Sequence, residues 1–156
     1  MSDLTHLRSD GSAHMVDVTD KVSTRREARA QAVLVTTAEV VARIADGTLP
    51  KGEALGTARL AGIMGAKQTS TLIPLCHPLP LTKLAVDLEP QGDRVRIVAT
   101  AVTNGVTGVE MEALTAATIA ALTLYDMIKA VDSRAVITDV KVLAKSGGKS
   151  GEWSIE

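Results

Sequence analysis

The groups best able to do chemistry in this chain gather in three places. Residues 72–81, Leu-Ile-Pro-Leu-Cys-His-Pro-Leu-Pro-Leu, hold the only cysteine, one of three histidines and three of the five prolines. Proline fixes its φ and lacks an N–H, so neither a regular helix nor a central strand fits here. His77, which precedes a proline, is pushed toward extended geometry. A side chain that titrates near neutral pH thus rides on a stiff connection inside an apolar stretch. Taken alone, the segment reads as a buried proline-rich turn with a structural histidine; the polar residues elsewhere shift the balance.

The second place is the longest helical pattern. Thr107-Gly108-Val109-Glu110 fits a capping box, which offers Glu110 a structural role beside any catalytic one. Glu112 lies past the cap in an alanine-rich apolar run, where a carboxylate has no such duty. Asp126, fourteen residues on, falls on nearly the same face, with Lys129 its i+3 neighbour. A carboxylate beside an ammonium has its pKa lowered and raises that of its partner. The plain alternative is a surface ion pair worth a few tenths of a kcal/mol.

The third place is the tail, Lys145-Ser-Gly-Gly-Lys-Ser-Gly151. A phosphate-binding P-loop needs a glycine where Leu143 stands, and it must open a helix, so that reading is rejected. A flexible Gly-Lys segment can still wrap phosphates with N–H groups and two ammonium charges. The competing reading is a solvated, mobile terminus. Metal chemistry finds little support: adjacent Cys76 and His77 face opposite sides of an extended backbone, and no spaced His or Cys completes a set. A Ser-His-Asp site lacks a nucleophile elbow.

Positioning these groups falls to 156 residues, 46% apolar, with no Phe and one each of Trp and Tyr. That length suits a single domain with its own core, built from Ala, Val, Leu, Ile and Met. A lone cysteine points to a reducing compartment, and no stretch reads as a membrane span or a signal sequence, so a soluble cytoplasmic protein is expected. The net charge of −1 and the scarcity of aromatics argue against a nucleic-acid partner. Anions must be met locally, by Arg25, Arg26 and Arg29 or by Lys141, Lys145 and Lys149.

Periodicity then orders the elements. Residues 1–11 read as loose and 12–23 as an extended segment carrying Asp17 and Asp20. Strands are expected over 27–36, 84–88, 94–103 and 135–144, with a hairpin turn at Pro90-Gln91-Gly92-Asp93. Helices are expected over 38–46, 52–68 and 108–131, the second with glycines at 56, 62 and 65 for close approach. With the two early helices as one crossover, the order is β-α-β-β-α-β. That is the ferredoxin-like α+β arrangement, an antiparallel sheet with helices on one face. The tail 145–156 is expected to be mobile.

Seven stretches, in order, make the chain resemble the cyclic pyranopterin monophosphate synthases, the C proteins of molybdenum cofactor biosynthesis. They are 13–21 (AHMVDVTDK), 26–30 (REARA), 62–68 (GIMGAKQ), 72–81, 108–115 (GVEMEALT), 124–129 (LYDMIK) and 145–151. The resemblance implies a lyase that turns 3′,8-cyclo-7,8-dihydro-GTP, made from GTP by a radical SAM partner, into cyclic pyranopterin monophosphate and pyrophosphate. It implies a hexamer, a trimer of dimers, with its site between subunits. No cofactor is required and no metal site is expected, although Mg2+ can accompany the triphosphate or pyrophosphate.

Under that resemblance, Asp126, Lys129, Lys51 and His77 serve the proton transfers of ring opening and closure. Lys67, Lys145, Lys149 and Arg26 are expected on the triphosphate, where charge builds as pyrophosphate leaves. Glu110 and Glu112 hold the N–H edge of the ring, and Leu75, Cys76, Met111 and Asp17 complete the substrate contacts. The resemblance places Glu112 and Asp126 in one pocket although they lie roughly 21 Å apart along one helix, and the simplest reconciliation is a site shared by two chains. Two rivals are a ferredoxin-like nucleotide sensor, which needs no proton-transfer set, and an RNA-binding module, which would display aromatics on its strands.

Overall fold

In a computed structural model, which describes residues 6–156, the chain forms a five-stranded antiparallel sheet and four helices. The central strand β1 (Thr24–Val35) pairs with β3 (Arg94–Gly105) on one side and β4 (Val136–Ser146) on the other. The edges are β2 (Leu81–Gln91) and a two-residue β5 (Trp153–Ser154). Helices α1 (Ala38–Asp46), α2 (Ala54–Ala66) and α3 (Thr69–Leu72) join β1 to β2, and α4 (Glu110–Ile128) joins β3 to β4. The strand order β2-β3-β1-β4 with these crossovers is the ferredoxin-like α+β fold.

Small side chains set the spacing between layers. Ala28, Ala30, Ala32 and Leu34 alternate along β1 and are fully or almost fully buried, while Glu27 and Arg29 face outward. Against them lie Ala113, Ala116, Ala117, Ala120 and Ala121 of α4, all without exposed surface. Bulk comes from Leu34, Ile44, Ile97, Leu124 and Ile128, the aliphatic core that a chain without Phe must build. Two of the three α2 glycines serve close approach. A Cβ on Gly62 would lie 2.8 Å from the Ala116 carbonyl, and one on Gly65 would lie 2.9 Å from Ile119. Gly56 instead receives the cap: its N–H donates to both Glu53 carboxylate oxygens, at 3.0 and 2.8 Å.

That cap also explains why α2 starts two residues later than its periodicity suggests. Gly52 has φ +92, outside the helical region, so the helix begins only after Glu53. The hairpin turns at Gly92 with φ +60, as expected. Helix α4 is shorter at both ends than the 108–131 pattern. At 19 residues and mean hydropathy 1.3 it matches a membrane span in length and apolarity, which the sequence reading had not allowed. More than half of that window is buried within the fold, as a core helix requires.

The tail corrects the expectation of a mobile terminus. Trp153 pairs with Lys145 and Ser154 with Ala144, while the Ile155 N–H donates to the Leu143 carbonyl at 2.9 Å. Glu156 forms ion pairs with Arg29 and Arg96. The free edge of β4, a few residues back along the chain, and two arginines from strands distant in sequence supply this hold. At the other terminus, residues 1–5 of the expected loose segment lie outside the described residues; Leu7 and Ala13 form an antiparallel bridge.

Candidate functional site

The proline-rich segment leaves α3 through a turn in which the Cys76 N–H donates to the Ile73 carbonyl at 3.1 Å. Pro74 occupies the second position of that turn, where its fixed φ suits it. From there the chain runs to β2 without regular structure. His77 Nε2 lies 2.6 Å from the Val16 carbonyl, tying this segment to the N-terminal one. A carbonyl only accepts, so Nε2 is the donor in this contact.

Leu75, Cys76 and His77 face the start of α4 across a cavity of about 320 Å³ that Glu110, Met111 and Glu112 also line. Adjacent Cys76 and His77 border this same space. Glu112 is only 4% exposed, and its Oε2 has no hydrogen-bond partner among the described residues. Burial pushes the Glu112 carboxyl above the ordinary carboxylate range, with the charge of Glu110 adding to the effect. The Cys76 thiol is pushed up in turn, first by burial and then by Glu112.

Glu110 does not close the capping box. The helix is capped at Val109 with no side-chain hydrogen bond, and Glu110 Oε1 sits 2.7 Å from Lys145 Nζ. A full ammonium charge outcompetes a neutral backbone N–H for the carboxylate. Lys145 Nζ also donates to Ser150 Oγ at 2.6 Å. This pair stands at the mouth of a second, larger cavity of about 660 Å³, a trough lined by Arg26, Lys145, Lys149 and Ser150. Gly147 and Gly148, at φ +89 and +80, let the tail fold against the Arg25 carbonyl and the Arg26 guanidinium, where any Cβ would collide. The Arg26 Nε–H donates to the Gly105 carbonyl at 3.1 Å.

Two expected contacts lie elsewhere. Lys67 borders a separate cavity of about 250 Å³ beside Thr69 and Ser70, with Glu112 as the shared wall. Asp17 is exposed and outside all of these cavities. Its carboxylate accepts from the Thr19 backbone and hydroxyl, and those bonds lower its pKa. Alternation along the extended segment turns Val16 and Val18 inward in its place.

The remaining expected residues assemble at the opposite end of α4. Asp126 accepts from Lys129 Nζ at 2.8 Å and from Lys51 Nζ, carried by the turn after α1, at 2.9 Å. The Lys129 and Lys51 ammonium groups hold the Asp126 carboxyl down at about 2, while Asp126 raises the Lys129 pKa. This exposed cluster is an ionised carboxylate clamped by two ammonium groups, a fixed arrangement of charge and hydrogen-bond donors open to solvent. Within one chain it does not meet the cavity at Glu112. Among the described residues, no three His, Cys, Asp or Glu side chains cluster to hold a metal ion.

Residues 15–148 match the MoaC family. The chain belongs to this family. It is 64% identical over 155 residues to the cyclic pyranopterin monophosphate synthase of Corynebacterium efficiens, covering 99% of this chain and 100% of that protein. It is 60% identical over 156 residues to a protein of the same name from Corynebacterium glutamicum, and 56% identical over 158 residues to one from Dinoroseobacter shibae, each match spanning both chains fully. Several lining residues are not singled out by the sequence as site residues, and three of them, Lys21, Thr107 and Gly108, border both the ring-sized cavity and the trough. Lys21 lay inside a matched motif, and its charge at the end of an alternating segment was the available signal.

Proposed function

We propose that this chain is a cyclic pyranopterin monophosphate synthase, a lyase that converts 3′,8-cyclo-7,8-dihydro-GTP to cyclic pyranopterin monophosphate and pyrophosphate. The observation that carries the reading is the join between two cavities at the start of α4, one lined by carboxylates and a histidine, the other by lysines and an arginine. The first suits a nitrogen-rich ring that offers N–H groups; the second suits a triphosphate. In the closing step a sugar hydroxyl loses its proton and bonds to the innermost phosphorus. The bond from that phosphorus to pyrophosphate breaks, the electron pair leaving with pyrophosphate. Arg26, Lys145 and Lys149 take up the charge that develops there.

Proton transfers need Lys51, Asp126 and Lys129 near the ring, and a second copy of the chain supplies them in this proposal. Leu60 and Met64 of α2 and Leu122 of α4 are 59%, 58% and 54% exposed, so these helices are apolar on their outer faces too. Helices apolar all round are covered ones. An isologous contact on this surface sets the Asp126 end of one α4 toward the Glu112 end of the other and makes two equal sites. Three such dimers make the proposed hexamer, working in the cytoplasm without a cofactor, with Mg2+ travelling only on the phosphates. Incubation of the cyclic dihydro-GTP intermediate with purified protein, read by mass spectrometry, tests the reading. Appearance of the cyclic monophosphate and pyrophosphate supports it, and recovery of unchanged intermediate defeats it.

A further inference from the structure

We infer that Lys21 holds the phosphate nearest the sugar, the one that stays with the product, while Arg26, Lys145 and Lys149 hold the two that leave. The inference rests on the proposed reaction and deepens it. A nucleotide that places its ring in the smaller cavity and its phosphates in the trough must cross the wall that the two share. Three residues form that wall, and Thr107 and Gly108 are neutral. Lys21 is the one cation of the three. Arg26, Lys145 and Lys149 border the trough and not the ring cavity, so they lie farther along the phosphate chain.

The states of Lys145, Arg26 and Lys21 fit the division. Lys149, exposed like Lys21 and without an ion pair among the described residues, is assigned by its place in the trough alone. Lys145 is engaged with Glu110 and Ser150, and Arg26 with the Gly105 carbonyl. Lys21 is exposed, and among the described residues its ammonium has no carboxylate within ion-pair distance. Its backbone is set by a turn in which the Lys21 N–H donates to the Val18 carbonyl at 3.0 Å. The turn places the side chain at the junction and leaves the ammonium for a ligand. When the sugar hydroxyl bonds to the inner phosphorus and pyrophosphate departs, non-bridging oxygens at that phosphorus carry charge before, during and after the step. A cation there serves substrate, transition state and product alike.

That division separates three probes. Calorimetric titration of the full-length protein with guanosine, GMP and GTP compares one ring carrying no, one and three phosphates. Lys21→Met is expected to weaken GMP and GTP by a similar factor, roughly ten- to a hundredfold for one charge-assisted contact, and to leave guanosine unchanged. Lys149→Met is expected to weaken GTP and spare GMP. Lys21→Arg should restore most GMP binding, which a merely structural role would not do. Loss of GTP binding alone in Lys21→Met overturns the inference by moving Lys21 to the outer phosphates. Equal loss of all three ligands, or loss of none, overturns it as well. Failure of the wild-type protein to bind GTP or to convert the cyclic intermediate would strike the proposed reaction itself, and shows before any variant is made.

Discussion

Asp126 spends the neutral pH range fully ionised. With two ammonium groups on its oxygens, its carboxyl titrates at about 2, well below an ordinary aspartate. The acid limb of the pH–rate profile of the free enzyme is therefore expected to belong to another group. Carbon-detected NMR titration should find the Asp126 midpoint near 2 and see it rise in Lys129→Met, because removing the ammonium removes what stabilises the anion. An unmoved midpoint would break the link. Lys51→Met and Lys129→Met should each abolish turnover with folding and assembly intact; near-normal product formation by both removes them from the chemistry. Glu112 is tuned the other way. Its folded pKa is raised, so its contribution to stability is complete below the unfolded carboxylate range and is lost as pH rises through the folded value. Glu112→Gln is expected to raise stability at neutral pH by about 1 kcal/mol, a gap that closes on acidification, while activity is lost. Chemical denaturation across pH checks both the sign and the trend.

Helices α2 and α4 touch through glycine, and the contact leaves no room. Gly62→Ala sets a methyl against the Ala116 carbonyl and the Ala120 side chain, both on α4, so the helices must part. Overpacking of this kind costs about 1–3 kcal/mol, readable in urea unfolding; a stabilised Gly62→Ala would show that the crossing has slack. The glycine spacing on α2 announced this contact, and alternation announced β1, β3 and β4. What the pattern hid was non-local. The capping-box residues are present, yet Glu110 answers to Lys145, thirty-five positions away. Residues Lys51 and Asp126 meet across seventy-five positions, a distance no periodicity encodes. Two paired residues are too few for an alternation, and β5 accordingly passed for a loose tail. The motifs single out Leu75, His77, Glu110 and Glu112, and the fold brings these four onto one cavity. Lys21 is not singled out in this way, because its place on a wall between two cavities is set by the fold and not by its neighbours in sequence.

At the scale of the whole molecule, the two ends of α4 pose the sharpest question. If the working site is built from two chains, mixing inactive Glu112→Gln protein with inactive Asp126→Asn protein should restore activity, since a share of the interfaces then holds one intact site. Mixed assemblies as inactive as either parent would place a whole site within each chain. The ordered tail carries one more consequence, an optical one. With no Phe, one Tyr and one Trp, nearly all ultraviolet emission excited at the red edge comes from Trp153. That indole stands in register with Lys145, which lines the trough, and itself borders an adjoining cavity with Glu27, Arg29 and Lys145. The chain is thereby its own fluorescent sensor, and pyrophosphate added to the unlabelled protein should change the colour or yield of that single emitter.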